Sequence, residues 1–118
     1  MILAIDHVQL AMPLSGEDAA RAFYCGVLGL TEVPKPAPLA ARGGCWFEAG
    51  AARLHLGADR DFRPTQKAHP ALAVADLPAF CTRLRAAGIA VRDDNELPDL
   101  PRANITDPFG NRIELVGG

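Results

Sequence analysis

Apolar and polar residues alternate along short stretches of this chain, and glycine or proline closes most of them. Val8, Leu10 and Met12 alternate with His7, Gln9 and Ala11, which predicts a strand over 7–12 with one aliphatic face. A helical pattern follows from about Glu17 to Leu28, with Ser15 and Asp18 spaced as a capping box and Gly29 placed to end it. Short strands are predicted over 30–33, 44–48 and 52–56, with the proline-rich Pro34–Pro38 as a loop. The second half has the same grammar. A strand over 69–74 precedes Asp76, a helix cap, with Pro78 in the tolerated first turn. Leu77, Phe80, Cys81 and Leu84 recur at helical spacing up to Gly88. Strands follow over 89–92, 102–106 and 111–116, the last two joined by the turn sequence Asp107-Pro108-Phe109-Gly110-Asn111.

Two βαβββ units therefore share one chain: approximately 1–57 and 68–118, joined by a charged linker over 58–67. The spacing supports a repeat. From Gly29 to His55 is 26 positions, and from Gly88 to Glu114 is again 26. The fold class expected is α+β, the two modules forming a cupped, barrel-like mixed sheet with helices outside, and all 118 residues making a single domain.

Composition narrows the function. Hydrophobic residues are 49%, charged residues 22%, and the net charge is −2. That excludes a disordered tail and gives no concentrated positive field for nucleic acid. No apolar run approaches the ~20 residues of a membrane helix, and the start of the chain lacks the features of a signal peptide. Cys25, Cys45 and Cys81 are odd in number and lack CxxC spacing, so a cytoplasmic protein with buried, inert thiols is expected rather than a disulfide framework. A reactive thiol is the alternative reading.

The candidate chemistry lies in four residues. His7, His55 and His69 are the only histidines, and each falls on the first or last strand of a unit; Glu114 occupies the remaining last strand. Alternation puts Leu54 and Leu56 opposite Arg53 and His55, Leu72 and Val74 opposite His69, and Ile113 and Leu115 opposite Arg112 and Glu114. If the aliphatic faces take the helices, all four candidates occupy the other face. Three imidazoles and a carboxylate suit a divalent Zn, Ni, Co, Mn or Fe(II) ion. Alternatively, each histidine is a strand residue hydrogen-bonded to a neighbour.

The stretches DHVQLAM (6–12), FYCGVLGL (23–30), HPALAVADL (69–77) and DPFGNRIELVG (107–117) resemble the vicinal oxygen chelate superfamily, which includes glyoxalases, bleomycin-resistance proteins and extradiol dioxygenases. The resemblance implies paired βαβββ modules around a metal, with His7, His69 and Glu114 as ligands. It places His55 at the fourth ligand position, where glyoxalase-like members carry Glu and epimerase-like members Gln. It also implies a homodimer acting on a small-molecule substrate, the site lying within one chain or drawing His7 and His55 from one copy and His69 and Glu114 from another.

A four-donor octahedral ion leaves two positions for neighbouring substrate oxygens, and as a Lewis acid it would stabilise an enediolate-like oxyanion. This points to lyase or isomerase chemistry, with Glu114 as first candidate base and His55 as a ligand or as an acid or base beside the metal. His7, His69 and Glu114 alone match the 2-His-1-carboxylate set of ring-cleaving Fe(II) dioxygenases, the rival reading. The non-catalytic alternative is a drug-binding protein of the bleomycin-resistance kind. Arg53 and Arg112 occupy matched places, to grip a carboxylate or phosphate or to pair at the rim. Gln9 is a substrate hydrogen-bonding candidate or a partner for His7, and Trp46 a pocket wall, core or interface residue.

Overall fold

A computed structural model describes residues 1–117. The chain divides into two compact units, Met1–Pro64 and a second that begins at Thr65. In the first, β1 (Val8–Met12) leads to α1 (Glu17–Arg21), which continues as a π-helical stretch (Ala22–Val27). Then come β2 (Thr31–Val33), the short α2 (Ala37–Ala40), β3 (Cys45–Ala49) and β4 (Ala52–Ala58). The second contains β5 (Ala71–Val74), α3 (Leu77–Ala86), β6 (Arg92–Asp94), β7 (Arg102–Thr106) and β8 (Arg112–Gly117).

Each unit holds one four-stranded mixed sheet, ordered β1-β4-β3-β2 and β5-β8-β7-β6. The first-to-last strand pair is parallel in both, and the others are antiparallel. This is the α+β, twice-repeated βαβββ organisation expected from the alternation. The register makes the repeat exact where it matters. His55 pairs with Gln9 and Glu114 with Ala71, so His7 and His69 each lie two residues before the parallel partner of their unit's last-strand candidate. Trp46, opposite His55, corresponds to Asn104, opposite Glu114.

Most of the expected aliphatic positions are buried, although Val8, Leu72 and Val74 are only half-buried. Leu10, Met12, Leu54, Phe47, Phe23 and Tyr24 are buried in the first unit, and Ile105, Ile113, Leu115, Leu77, Cys81 and Leu84 in the second. Full burial of one such side chain contributes about 1.5–3 kcal/mol. These packed layers fix which face of each sheet remains for chemistry.

Helix ends show where local patterns hold. Asp76 caps α3 by accepting from the Ala79 backbone N–H at 3.1 Å. At the other end Gly88 (φ 83°) lets its own N–H reach the Arg85 carbonyl and that of Ile89 the Leu84 carbonyl. This use of Ile89 delays the next strand: pairing begins at Arg92, three residues beyond the expected start. The Ser15 capping box does not form. Ser15 lies in the left-handed region (φ 66°), Gly16 takes the cap position, and no side chain caps the helix.

The proline-rich loop ends early, because α2 starts at Ala37 with Pro38 in its first turn. Thr65 accepts from the Arg112 N–H and donates its own N–H to Asn111 Oδ1, and the Gln66 side chain donates to the Gly110 carbonyl, which ties 65–66 to the edge of the second unit.

Candidate functional site

The candidate residues form two pairs, one in each unit. In the first, β4 presents His55 and β3 presents Trp46 directly across from it. Their rings stack with centroids 4.2 Å apart and 6° between planes. The His7 ring covers the other side of His55, at 4.1 Å and 17°. His55 is thereby 6% exposed, although it stands on the polar face of the sheet. Burial, then the neighbouring His7, hold its pKa below the ordinary 6.5, so the imidazole is neutral at neutral pH.

His7 is half exposed and its Nδ1 lies 2.9 Å from Asp6 Oδ2. With Nδ1–H donating to that carboxylate, Nε2 keeps its lone pair. The hydrogen bond to His7 in turn lowers the Asp6 pKa. Asp6 Oδ1 also accepts from Arg53, at 3.1 Å.

The stack limits what these two histidines can share. An imidazole lone pair lies in the plane of its ring. Planes only 17° apart, with centroids 4.1 Å apart, do not meet within the ~2.1 Å of a metal–nitrogen bond. As placed, His7 and His55 do not hold one ion together.

The second unit pairs His69 with Glu114, Nε2 to Oε1 at 3.0 Å. His69 Nδ1 lies 2.8 Å from the Lys67 carbonyl. Both ring nitrogens therefore face acceptors. A neutral imidazole has only one N–H and can donate to only one of them, whereas an ion between Nε2 and Oε1 would engage both of those atoms. The 3.0 Å separation also approximates the edge between neighbouring donors of an octahedral ion with bonds of about 2.1 Å. The pair thus fits a divalent metal. Among the described residues, no group of three or more His, Cys, Asp and Glu side chains is gathered to hold one.

Arg102 lies beside this pair. It binds Asp94 at 2.8 Å, approaches Glu114 Oε2 at 3.8 Å, and keeps a buried Nε with no hydrogen-bond partner among the described residues. Arg102, Asn104 and Thr106 alternate with buried Ala103 and Ile105, a pattern that puts Arg102 on the polar face and could have marked it as a candidate from sequence. Arg112 is engaged by Asn104 Oδ1 at 2.8 Å and by the Gln66 carbonyl. Arg53 pairs with Asp6 and, at 4.0 Å, with Glu48. Both arginines are thus paired at the rims of their sheets. Gln9 is exposed, next to Gly57, where a Cβ would collide with its amide.

His7, Gln9, Trp46, Arg53 and His55 border a cavity of about 480 Å³ in the first unit. That volume suits a small molecule.

A duplicated βαβββ unit with an imidazole near the start of each half defines the class. A model of the glyoxalase-like domain matches residues 9–116, and the chain belongs to this family, within the vicinal oxygen chelate superfamily. A glyoxalase family protein from Bacillus anthracis is 46% identical, with a TM-score of 0.98 over 100% of this chain and 97% of that one. The antibiotic-binding protein TnmS3 from Streptomyces sp. CB03234 is 26% identical, with a TM-score of 0.74 over 98% of each chain. Lactoylglutathione lyase from Agrobacterium tumefaciens is 25% identical, with a TM-score of 0.76 over 98% of this chain and 93% of that one. A search of curated proteins finds no match. Among the described residues, no helix is long and apolar enough to cross a membrane.

Proposed function

We propose that this chain is a divalent-metal-dependent enzyme that acts by lyase or isomerase chemistry on a small substrate with neighbouring oxygens. The observation that supports it most is His69, both of whose ring nitrogens face acceptors, one of them the Glu114 carboxylate. His69 and Glu114 are proposed as ligands, with His7 as the third donor through its free Nε2. When bound, the ion supplies Lewis acidity toward a developing oxyanion. The resemblance to known dimers supports two copies, each contributing to the sites.

The roles of the other residues follow from their surroundings. Glu114 has His69 against one oxygen and Arg102 near the other, so both of its oxygens are engaged. His55 is neutral, and its nitrogens have no hydrogen-bond partner among the described residues. We therefore assign the transferable proton to His55, with Trp46 and His7 fixing its ring. Asp6 orients His7, and Arg53 and Gln9 border the substrate.

The stack also supports a second reading, ring-cleaving oxygenation. With His55 not a donor, His7, His69 and Glu114 would hold the ion as two imidazoles and one carboxylate, a donor set that would supply Fe(II) oxygenation chemistry toward a catecholate. Metal titration of the His7→Ala, His55→Ala, His69→Ala and Glu114→Ala variants tests the common core. Loss of at least a hundredfold in affinity is expected for His7, His69 and Glu114, and less than tenfold for His55. Unchanged metal content in His69→Ala would leave only ligand binding without catalysis. Oxygen uptake with catechol and Fe(II) would select the oxygenase.

A further inference from the structure

The cavity in the first unit has a charge pattern that metal binding does not use. Lys35, Arg42 and Arg53 all border it. Arg53 is balanced by Asp6 and Glu48. Lys35 and Arg42 form no ion pair among the described residues; the Lys35 ammonium donates to the Gly43 carbonyl. The nearby Glu17 carboxylate, which accepts from the Gly44 N–H at 2.9 Å, offsets part of the Lys35 charge. Lys35 is close enough for its charge to bear on His55. Leu39 and Trp46 add an apolar wall. Two cations outside any ion pair, beside an apolar surface, attract a group that is anionic at one end and carbon-rich at the other.

We propose that this cavity binds a small organic carboxylate, the carboxylate between Lys35 and Arg42 and the carbon body against Trp46 and Leu39. As a description of the substrate it rests on the enzymatic reading above, but as a binding site it needs no metal.

Trp46 is the only tryptophan, so its fluorescence reports on this cavity alone. The full chain, stripped of metal with a chelator, is titrated with benzoate and with its neutral counterpart benzamide. Benzoate is expected to change the Trp46 emission saturably, with a Kd at least tenfold below that of benzamide. Lys35→Met and Arg42→Met should each raise the benzoate Kd at least fivefold. Arg60→Met, which removes the same charge from an exposed position outside the cavity lining, should change it less than twofold. Equal affinity for benzoate and benzamide, or an unchanged Kd in both Lys35→Met and Arg42→Met, would overturn the proposal. His69→Ala separates the two readings. If it binds benzoate normally but still holds metal, the carboxylate site stands and the assigned metal centre fails. If benzoate discrimination is absent while His69→Ala loses metal, the reverse is true.

Discussion

The indole of Trp46 and the imidazole of His55 lie face to face, 4.2 Å apart and within 6° of parallel. The pairing of β3 with β4 sets them opposite each other, and His7 closes the remaining face. A histidine on the polar side of a sheet is thereby desolvated by rings rather than by the hydrophobic core.

This burial makes stability depend on pH. The folded pKa of His55 is below its unfolded value of about 6.5. Its contribution is complete above that value and is lost as pH falls through it towards the folded pKa, because only the unfolded chain takes up the proton there. Urea unfolding between pH 7.5 and 5 should show this slope, and His55→Phe should flatten it. By NMR titration, Trp46→Ala should move the His55 midpoint up toward 6.5.

Metal uptake should release protons. An ion at His69 Nε2 and Glu114 Oε1 would take the place of the hydrogen bond that joins them, and ligation requires the proton-free donors. Calorimetry in buffers of different ionisation enthalpy should register proton release on metal binding. Glu114→Gln should reduce both the release and the affinity.

The turn before β8 depends on one carboxylate. Asp107, 5% exposed, accepts from the N–H groups of Phe109 at 2.9 Å and Asn111 at 2.8 Å, and from Asn111 Nδ2 at 2.9 Å. Asp107→Ala would leave these donors without their acceptor, at a cost of about 2–4 kcal/mol in chemical denaturation. The loss should exceed that from Asp61→Ala, whose carboxylate is exposed.

The three thiols should react unequally. Burial pushes the Cys45 thiol up to about 11 and raises that of Cys81, whereas Cys25 is only half-buried. Native protein at pH 8 should therefore give one fast equivalent with a disulfide reagent, at Cys25, and three after denaturation.

The alternation of Leu54, Leu56, Ile113 and Leu115 was enough to assign sheet faces, because one buried face is the strongest constraint on a strand. Glycines at 29 and 88 marked both helix ends for the same reason they work there, a left-handed residue without a Cβ. The ring sandwich was not legible. It depends on β3 and β4 pairing so that Trp46 meets His55, and no single strand contains that register. Arg102 was missed although its strand alternates cleanly, because alternation says which face a residue is on and not which charges it will meet. Ser15 misled because capping requires an extended backbone, which its positive φ denies.

One ancestral unit used twice would have to offer the same group at every equivalent place. Two linked units escape that constraint. At matched positions this chain now offers imidazole and indole in one half, carboxylate and amide in the other. Each half can then change by substitution without forcing the same change on the other.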